Sequence, residues 1–284
     1  MSSSWSPSTL AQVSDWPVDT VAAAVRADDG SWHTHGDSSR IFELASVTKL
    51  LAAVGMLVAV EEGAVELDQE LTPPGGGATV RHLLAHAGGV GFDSRELERE
   101  PGKRRIYSSA GFDIIADAIA AEAEMPFSEY LDQAVFQPLG MASSVLDGSA
   151  GHGARSSVDD LMAFVDEVLA PTILHPESVD EAFTVQFPGL DGVVPGYGMQ
   201  RPADWGLGFE IFGKPDSKQG LWFGASMPED VAGHFGQAGT FVWLHRPTGR
   251  AAIALTDRAF GDWAKPLWTD FNDALWRELA EHAD

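Results

Sequence analysis

Ser46 and Lys49 stand three residues apart in the stretch ELASVTKLL at positions 43–51, a spacing that puts two side chains on one face of a helix. A serine hydroxyl is a weak nucleophile until a neighbouring base takes its proton. A lysine becomes such a base when burial depresses its pKa toward neutrality. The free N–H groups at a helix start also favour developing negative charge. The same four residues fit an N-cap serine followed by a solvated lysine. The neighbours argue against that description, because Val47, Leu50, Leu51, Val54, Leu57 and Val58 make the segment apolar around its circumference, the mark of a helix buried on most sides. Lysine supplies only five of the eighteen cations, so one placed among apolar residues is conspicuous. Tyr107, one of three tyrosines, adds a phenol in PGKRRIYSSAGFDII at 101–115. A third segment, GHFGQAG at 233–239, offers the backbone of a strand edge to a substrate.

These groups need a scaffold, and its elements can be read along the chain. Residues 20–27, the turn Asp28-Asp29-Gly30 and a return from Ser31 to Gly36 predict a hairpin ahead of the serine. The serine-bearing helix runs to near Gly63. From Leu71 to about Gly189 the periodicity is mostly helical, broken by PPGGG at 73–77, AGGVG at 87–91 and PLG at 138–140. A second hairpin is predicted from TFVWLHR at 240–246 and RAAIALTDR at 250–258 around Pro247-Thr248-Gly249. Pro266 then opens a helix with Leu267, Phe271, Leu275, Trp276 and Leu279 on one stripe. Strands at both ends with helices between them predict one sheet built from the two termini.

In order along the chain, FELASVTK, LDQELTPP, TVRHLLAHAGGV at 79–90, PG-x4-YSSAGFDI, FSEYLDQAVFQPLGM at 127–141, SSVDDLMAF at 156–164 and HFG before a hairpin resemble one family. It is the serine β-lactamase and penicillin-binding-protein superfamily, in the branch of class C β-lactamases, D-alanyl-D-alanine peptidases and related esterases. The resemblance covers most of the chain, and the ordered set is far more specific than any single motif. It implies an α+β, β-lactamase/transpeptidase-like fold: an antiparallel sheet flanked by terminal helices, with an inserted all-helical domain and the cleft between them. Residues 1–70 plus 190–284 would form the sheet domain and 71–189 the insertion. The resemblance also implies that Ser46 is the acylated nucleophile, Lys49 its base or proton shuttle, and Tyr107 the phenol that passes a proton to the leaving group. His234, Phe235 and Gly236 match the segment that relatives write K-T-G or H-x-G along the cleft. The N–H groups of Ser46 and Gln237 would then bind the oxyanion. One departure stands out: relatives read Y-x-N, whereas this chain has Tyr107-Ser108-Ser109. Ser109 can accept a hydrogen bond from Lys49 but reaches less far than an asparagine amide, which weakens the expectation of β-lactam or peptide recognition more than that of nucleophilic chemistry.

Other segments carry competing chemistry. HTHGD at 33–37 puts His33 and His35 on one strand face beside Asp37 and resembles the metal-binding start of the metallo-β-lactamase fold, though the usual next histidine is Ser38. His82 and His86 have i, i+4 spacing but lack the glutamate of H-E-x-x-H and read as structural. Gly208 to Lys214 spells G-x-x-x-x-G-K, yet Pro215 replaces the magnesium-binding hydroxyl and Glu210 occupies the loop. No serine has G-x-S-x-G around it. Lys103-Arg104-Arg105 reads as a solvated loop balancing the acidic run Glu96 to Glu100, or else as a lure for a carboxylate. The segment from Phe212 to Asp230, with Trp222, Phe223 and Met227, is either a loop beside the cleft or aromatic cover for the sheet.

Composition bounds the partners. The chain has 284 residues and 44% hydrophobic content, enough for one large domain or two interlocked ones. Asp plus Glu number 42 against 18 Lys plus Arg, a net charge of −24. That field repels phosphate backbones and anionic membrane surfaces and favours neutral or cationic ligands. With no cysteine there is no disulfide and no thiol catalysis. The N-terminus lacks the pattern of a secretory signal. The longest apolar run, Leu50 to Val60, has eleven residues where a membrane span needs about 20. The expectation is a cytoplasmic serine hydrolase of a small ester or amide, without metal or other cofactor. A catalytically degenerate ligand- or partner-binding member is the alternative, and a metallohydrolase using His33, His35 and Asp37 is a third reading.

Overall fold

Val21–Arg26 and Trp32–His35 form the N-terminal hairpin, with Val25 opposite His33. The computed structural model describes residues 5–216 and 221–283. In it the chain ends meet in one six-stranded antiparallel sheet. Its strands lie in the order Trp32–His35, Val21–Arg26, Arg250–Thr256, Thr240–His245, Ala232–Gly236 and Glu210–Ile211. Alternation along the central strands sorts two cores. Ala22, Ala24, Val242, Leu244, Ile253 and Leu255 face the serine-bearing helix Thr48–Glu61, and Ala23, Val25, Phe241, Trp243, Ala252 and Ala254 face the C-terminal helix Ala264–Glu281. The α+β fold read from the sequence is therefore the observed one. At its N-terminal end the flanking element is a 3₁₀ segment, Ser8–Asp15, tied to the C-terminal helix by Glu278.

The C-terminal helix differs from the expected stripe in two places. Trp268, one position beyond Leu267, is fully buried, and so is the polar Asn272. Asn272 accepts the Trp243 indole N–H at 2.9 Å and donates to the Trp222 carbonyl at 2.9 Å. An amide that satisfies two buried groups is worth more than the apolar contact a leucine would add. Asn272→Leu is expected to destabilise the protein by roughly 2–4 kcal/mol, since it strands one donor and one acceptor. A urea titration of both chains checks this.

Between the sheet's two halves lie the helices Val80–Leu84, Ala110–Ala123, Phe127–Leu131, Val158–Leu169 and Pro176–Ala182. This block departs from the all-helical expectation. Val145–Leu146 and Ala154–Ser156 pair with each other, and the latter with Phe42–Glu43. Strands of two or three residues are too short to leave a period-two signature. One apolar cluster runs from the inner sheet face through the serine-bearing helix into these helices, so the inserted stretch shares its core with the sheet.

Trp222, Phe223 and Met227 are buried in the outer core, so these residues cover the sheet. Residues 217–220 of that segment, like residues 1–4 of the N-terminus, lie outside the described residues. No helix among the described residues is long and apolar enough to cross a membrane.

Candidate active site

Ser46 sits in a 3₁₀ turn, Ala45–Val47, that leads straight into the buried helix Thr48–Glu61. Ala45 just before it has φ of +45°, a left-handed conformation that costs an L-residue about 1–2 kcal/mol. The turn leaves Ser46 half-buried while Val47, Thr48 and Lys49 are fully enclosed. The Ala232–Gly236 strand runs past the turn at close range. A Cβ on Gly236 would lie 2.2 Å from the Leu44 carbonyl oxygen and 3.2 Å from the Ser46 nitrogen, so only glycine allows the approach. Thr240 fastens it by donating to the same Leu44 carbonyl at 2.8 Å. Among the described residues no turn or loop backbone hydrogen bond is donated by the Ser46 or Gln237 N–H.

Lys49 is fully buried. Its Nζ donates to the Ser109 hydroxyl at 3.1 Å and to the Gly151 carbonyl at 2.7 Å, and stands 4.6 Å from the centre of the Tyr107 ring. Burial lowers its pKa to about 7, against weaker opposing fields from Asp113 and Asp93. Tyr107 is pushed well above the usual phenol range, chiefly by desolvation, with the Ser46 hydroxyl opposing and the Glu210 carboxylate reinforcing. The His234 ring is buried beside it, with Nδ1 2.6 Å from the Phe235 carbonyl and Nε2 3.4 Å from the Tyr107 hydroxyl. Burial and the nearby Lys49 lower the His234 pKa to about 3. The ring is therefore neutral at ordinary pH. With Nδ1–H donating to the carbonyl, Nε2 faces Tyr107 as an acceptor.

Ser46, Lys49, Tyr107, Ser109, His234, Gly236 and Gln237 thus converge. Phe235 only partly joins them. Its ring packs on Tyr197, Trp222, Phe260 and Trp268 in the outer core and reaches the site as one wall of a small cavity. Alternation along a strand requires that split, because neighbours of an inward histidine point the other way. Two cavities meet at Ser46, Phe92 and Gln237. One, of about 600 Å³, is lined by Glu43, Ser109, Asp147, His152 and Arg155, and the other, of about 120 Å³, by Tyr107, Trp205, Glu210 and His234.

Several contributors escaped the sequence reading. The Gly151 carbonyl is a backbone atom and carries no residue-type signal. Its loop is pinned by Asp113, which accepts from the Ser149 hydroxyl at 2.7 Å and the Ala150 N–H at 2.9 Å. Glu210 did have a signal, the same one as Lys49: a charge among apolar neighbours in LGFEIF. His86, read as structural, is buried against the Tyr107 ring and accepts the Ser108 N–H at 3.1 Å. His82 caps its own helix through Thr79.

The basic run is corrected in part. Arg105 is buried, its guanidinium donating to the carbonyls of Ala85, Ala203 and Gln186, so it clamps three segments and is not a solvated loop residue. In the HTHGD segment His33 meets Ser31, His35 meets Ser14 and Asp37 caps Ser39. Among the described residues no three His, Asp or Glu side chains gather as a metal cluster, so the metallohydrolase reading finds no ligand set there.

The β-lactamase family model matches residues 17–273. A solved β-lactamase from Mycobacterium bovis is 46% identical, with 96% of this chain and 99% of that one covered at a TM-score of 0.91. A simvastatin synthase from Aspergillus terreus shares the fold at 16% identity and a TM-score of 0.77, covering 96% of this chain and 94% of its own. A penicillin-binding protein of Bacillus subtilis is 23% identical over 55% of this chain. The match spans about two fifths of that protein's length, 41%. The family model, which takes in nearly the whole chain, shows that this protein belongs to the β-lactamase family, a family of serine hydrolases.

Proposed function

We propose that the chain cleaves a small ester or amide through an acyl-Ser46 intermediate. The observation that carries this reading is the Lys49 amine, wholly enclosed and uncharged in part at neutral pH, one turn along from Ser46 and held by two neutral acceptors. A lysine placed for stability would pair with a carboxylate or reach solvent; among the described residues this one does neither.

The neutral amine takes the Ser46 proton as Oγ bonds to the substrate's carbonyl carbon. The resulting oxyanion accepts hydrogen bonds from the Ser46 and Gln237 N–H groups, donors typically worth about 2.7–4 kcal/mol of barrier each. Collapse breaks the bond to the leaving group, which receives a proton by way of the Tyr107 hydroxyl. That phenol, raised well above 10, stays protonated at working pH and relays protons without itself becoming a lasting anion. Water then attacks the acyl-enzyme by the same path, regenerating Ser46 and releasing the acid. Ser109 in place of an asparagine keeps an acceptor for Lys49 but offers no amide donor toward the substrate, which supports simple esters over lactams and peptides.

The pH profile follows from Lys49. Its protonated form cannot act as base, so kcat/KM is expected to rise with pH through about 7 and then level off. No falling limb from Tyr107 is expected below pH 10, since its pKa is shifted upward. A profile with a neutral ester from pH 5 to 9 checks both limbs. The reading itself is tested by treating the protein with a fluorophosphonate and mapping the adduct by mass spectrometry. Phosphonylation at Ser46 is expected. A folded, unlabelled protein that also leaves short acyl esters, D-amino acid amides and a chromogenic cephalosporin intact would favour the degenerate, ligand-binding alternative.

A further inference from the structure

Glu210 is 2% exposed on the edge strand of the main sheet, yet only half of its carboxylate is engaged. Oε2 accepts the Trp222 indole N–H at 2.9 Å. Oε1 is buried without a hydrogen-bond partner among the described residues. A buried acceptor of that kind costs free energy unless something fills it. Glu210 lines the 120 Å³ cavity together with the rings of Phe92, Tyr107, Trp205 and Phe235, and that cavity opens on Ser46 and Gln237. Its size corresponds to about four water molecules at liquid density.

From this we infer that the small cavity is an ammonium subsite, in which a slight turn of the Glu210 side chain brings the free Oε1, enclosed in the cavity wall as it stands, onto a primary ammonium group of the substrate among the surrounding aromatic rings. The inference deepens the hydrolase reading and rests on it, naming the substrate class as a small amine-bearing ester or amide. Three chemical facts converge. A carboxylate oxygen in a low-dielectric pocket attracts a cation more strongly than in water, against the cost of desolvating it, and an ammonium supplies the N–H donor that Oε1 lacks. The aromatic faces add cation–π attraction, strongest for the Trp205 indole. The net charge of −24 draws cations toward the cleft. Burial lifts the carboxyl to about 7 in the absence of a cation, and a bound ammonium favours its ionised form.

The test is ligand-observed NMR titration at pH 8 with n-butylammonium chloride and its uncharged counterpart n-butanol, on the parent protein, Ser46→Ala and Glu210→Gln. Glutamine keeps an acceptor for Trp222. The ammonium is expected to bind the parent and Ser46→Ala at least about tenfold more tightly than the alcohol, and Glu210→Gln to lose that preference. Equal affinities for the two probes in the parent chain overturn the subsite whatever the variants do. An ammonium preference that survives in Glu210→Gln and vanishes in 0.5 M salt also overturns it, being attraction to the acidic surface alone. Because binding needs no acylation, a chain that binds the ammonium through Glu210 but forms no Ser46 adduct would uphold the subsite and defeat only the hydrolase reading.

Discussion

Ser46→Ala is expected to lower turnover of any accepted ester by about 10⁴-fold or more while leaving the fold intact. Removing a nucleophile deletes the covalent route altogether. What survives is the binding and oxyanion stabilisation that the remaining groups offer to direct attack by water. The structure explains why stability should hardly move. The Ser46 side chain caps nothing: neither the turn Ala45–Val47 nor the helix after it has a side-chain cap at its N-terminus. The residue is half-buried, so no cavity of consequence opens. Alanine also has the better helix propensity. The measurement is kcat/KM for a short acyl ester beside a urea melt of the same preparation. A variant that melts like the parent and retains more than a tenth of its activity would remove Ser46 from the mechanism.

The sequence exposed the side chains of the site more readily than the backbone that surrounds them. Lys49 could be read because a charge inside an apolar run contradicts the pattern around it, and a contradiction of that kind is resolved only by burial with a purpose or by a partner; Glu210 carries the same signal in LGFEIF but went unread. Both hairpins were legible from their turn residues, and Gly30 and Gly249 do take left-handed φ values of +83° and +74°. What could not be read is whatever depends on distance between segments. The Gly151 carbonyl reaches Lys49 from 102 positions away. The approach of Gly236 to Ser46 needs a strand near the C-terminus to pass a turn near the N-terminus. Arg105 looked like a surface cation because its partners are carbonyls of Ala85, Gln186 and Ala203, whose identities say nothing about it. Asn272 sat in an apolar stripe with no hint that two tryptophan segments would meet it. In each case the missing signal is a main-chain atom or a tertiary contact, neither of which has a letter in the sequence.

Lys49→Met separates what this lysine does for catalysis from what it costs the fold. Methionine keeps an unbranched side chain of similar length and removes the charge and the donor. Loss of the base is expected to reduce kcat/KM by about 10²–10⁴-fold and to erase the rise through pH 7. Stability should respond in a way that depends on pH. The amine has an ordinary pKa of 10.5 and a folded-state value of about 7, so between those two values the unfolded chain holds the proton that the folded chain gives up. Stability of the parent therefore climbs with pH across that window, and below pH 7 burial of the ammonium costs roughly 4–5 kcal/mol. Methionine escapes that cost at every pH. Against it, the Gly151 carbonyl loses its donor, at about 1–3 kcal/mol, independent of pH. The variant is thus expected to be the more stable chain at pH 6, and its advantage should shrink by roughly 3 kcal/mol by pH 9. Urea titrations at the two pH values read the difference directly. A stability gap that stays constant would mean that Lys49 keeps its ordinary pKa in the folded protein, and the amine could then not serve as the base for Ser46.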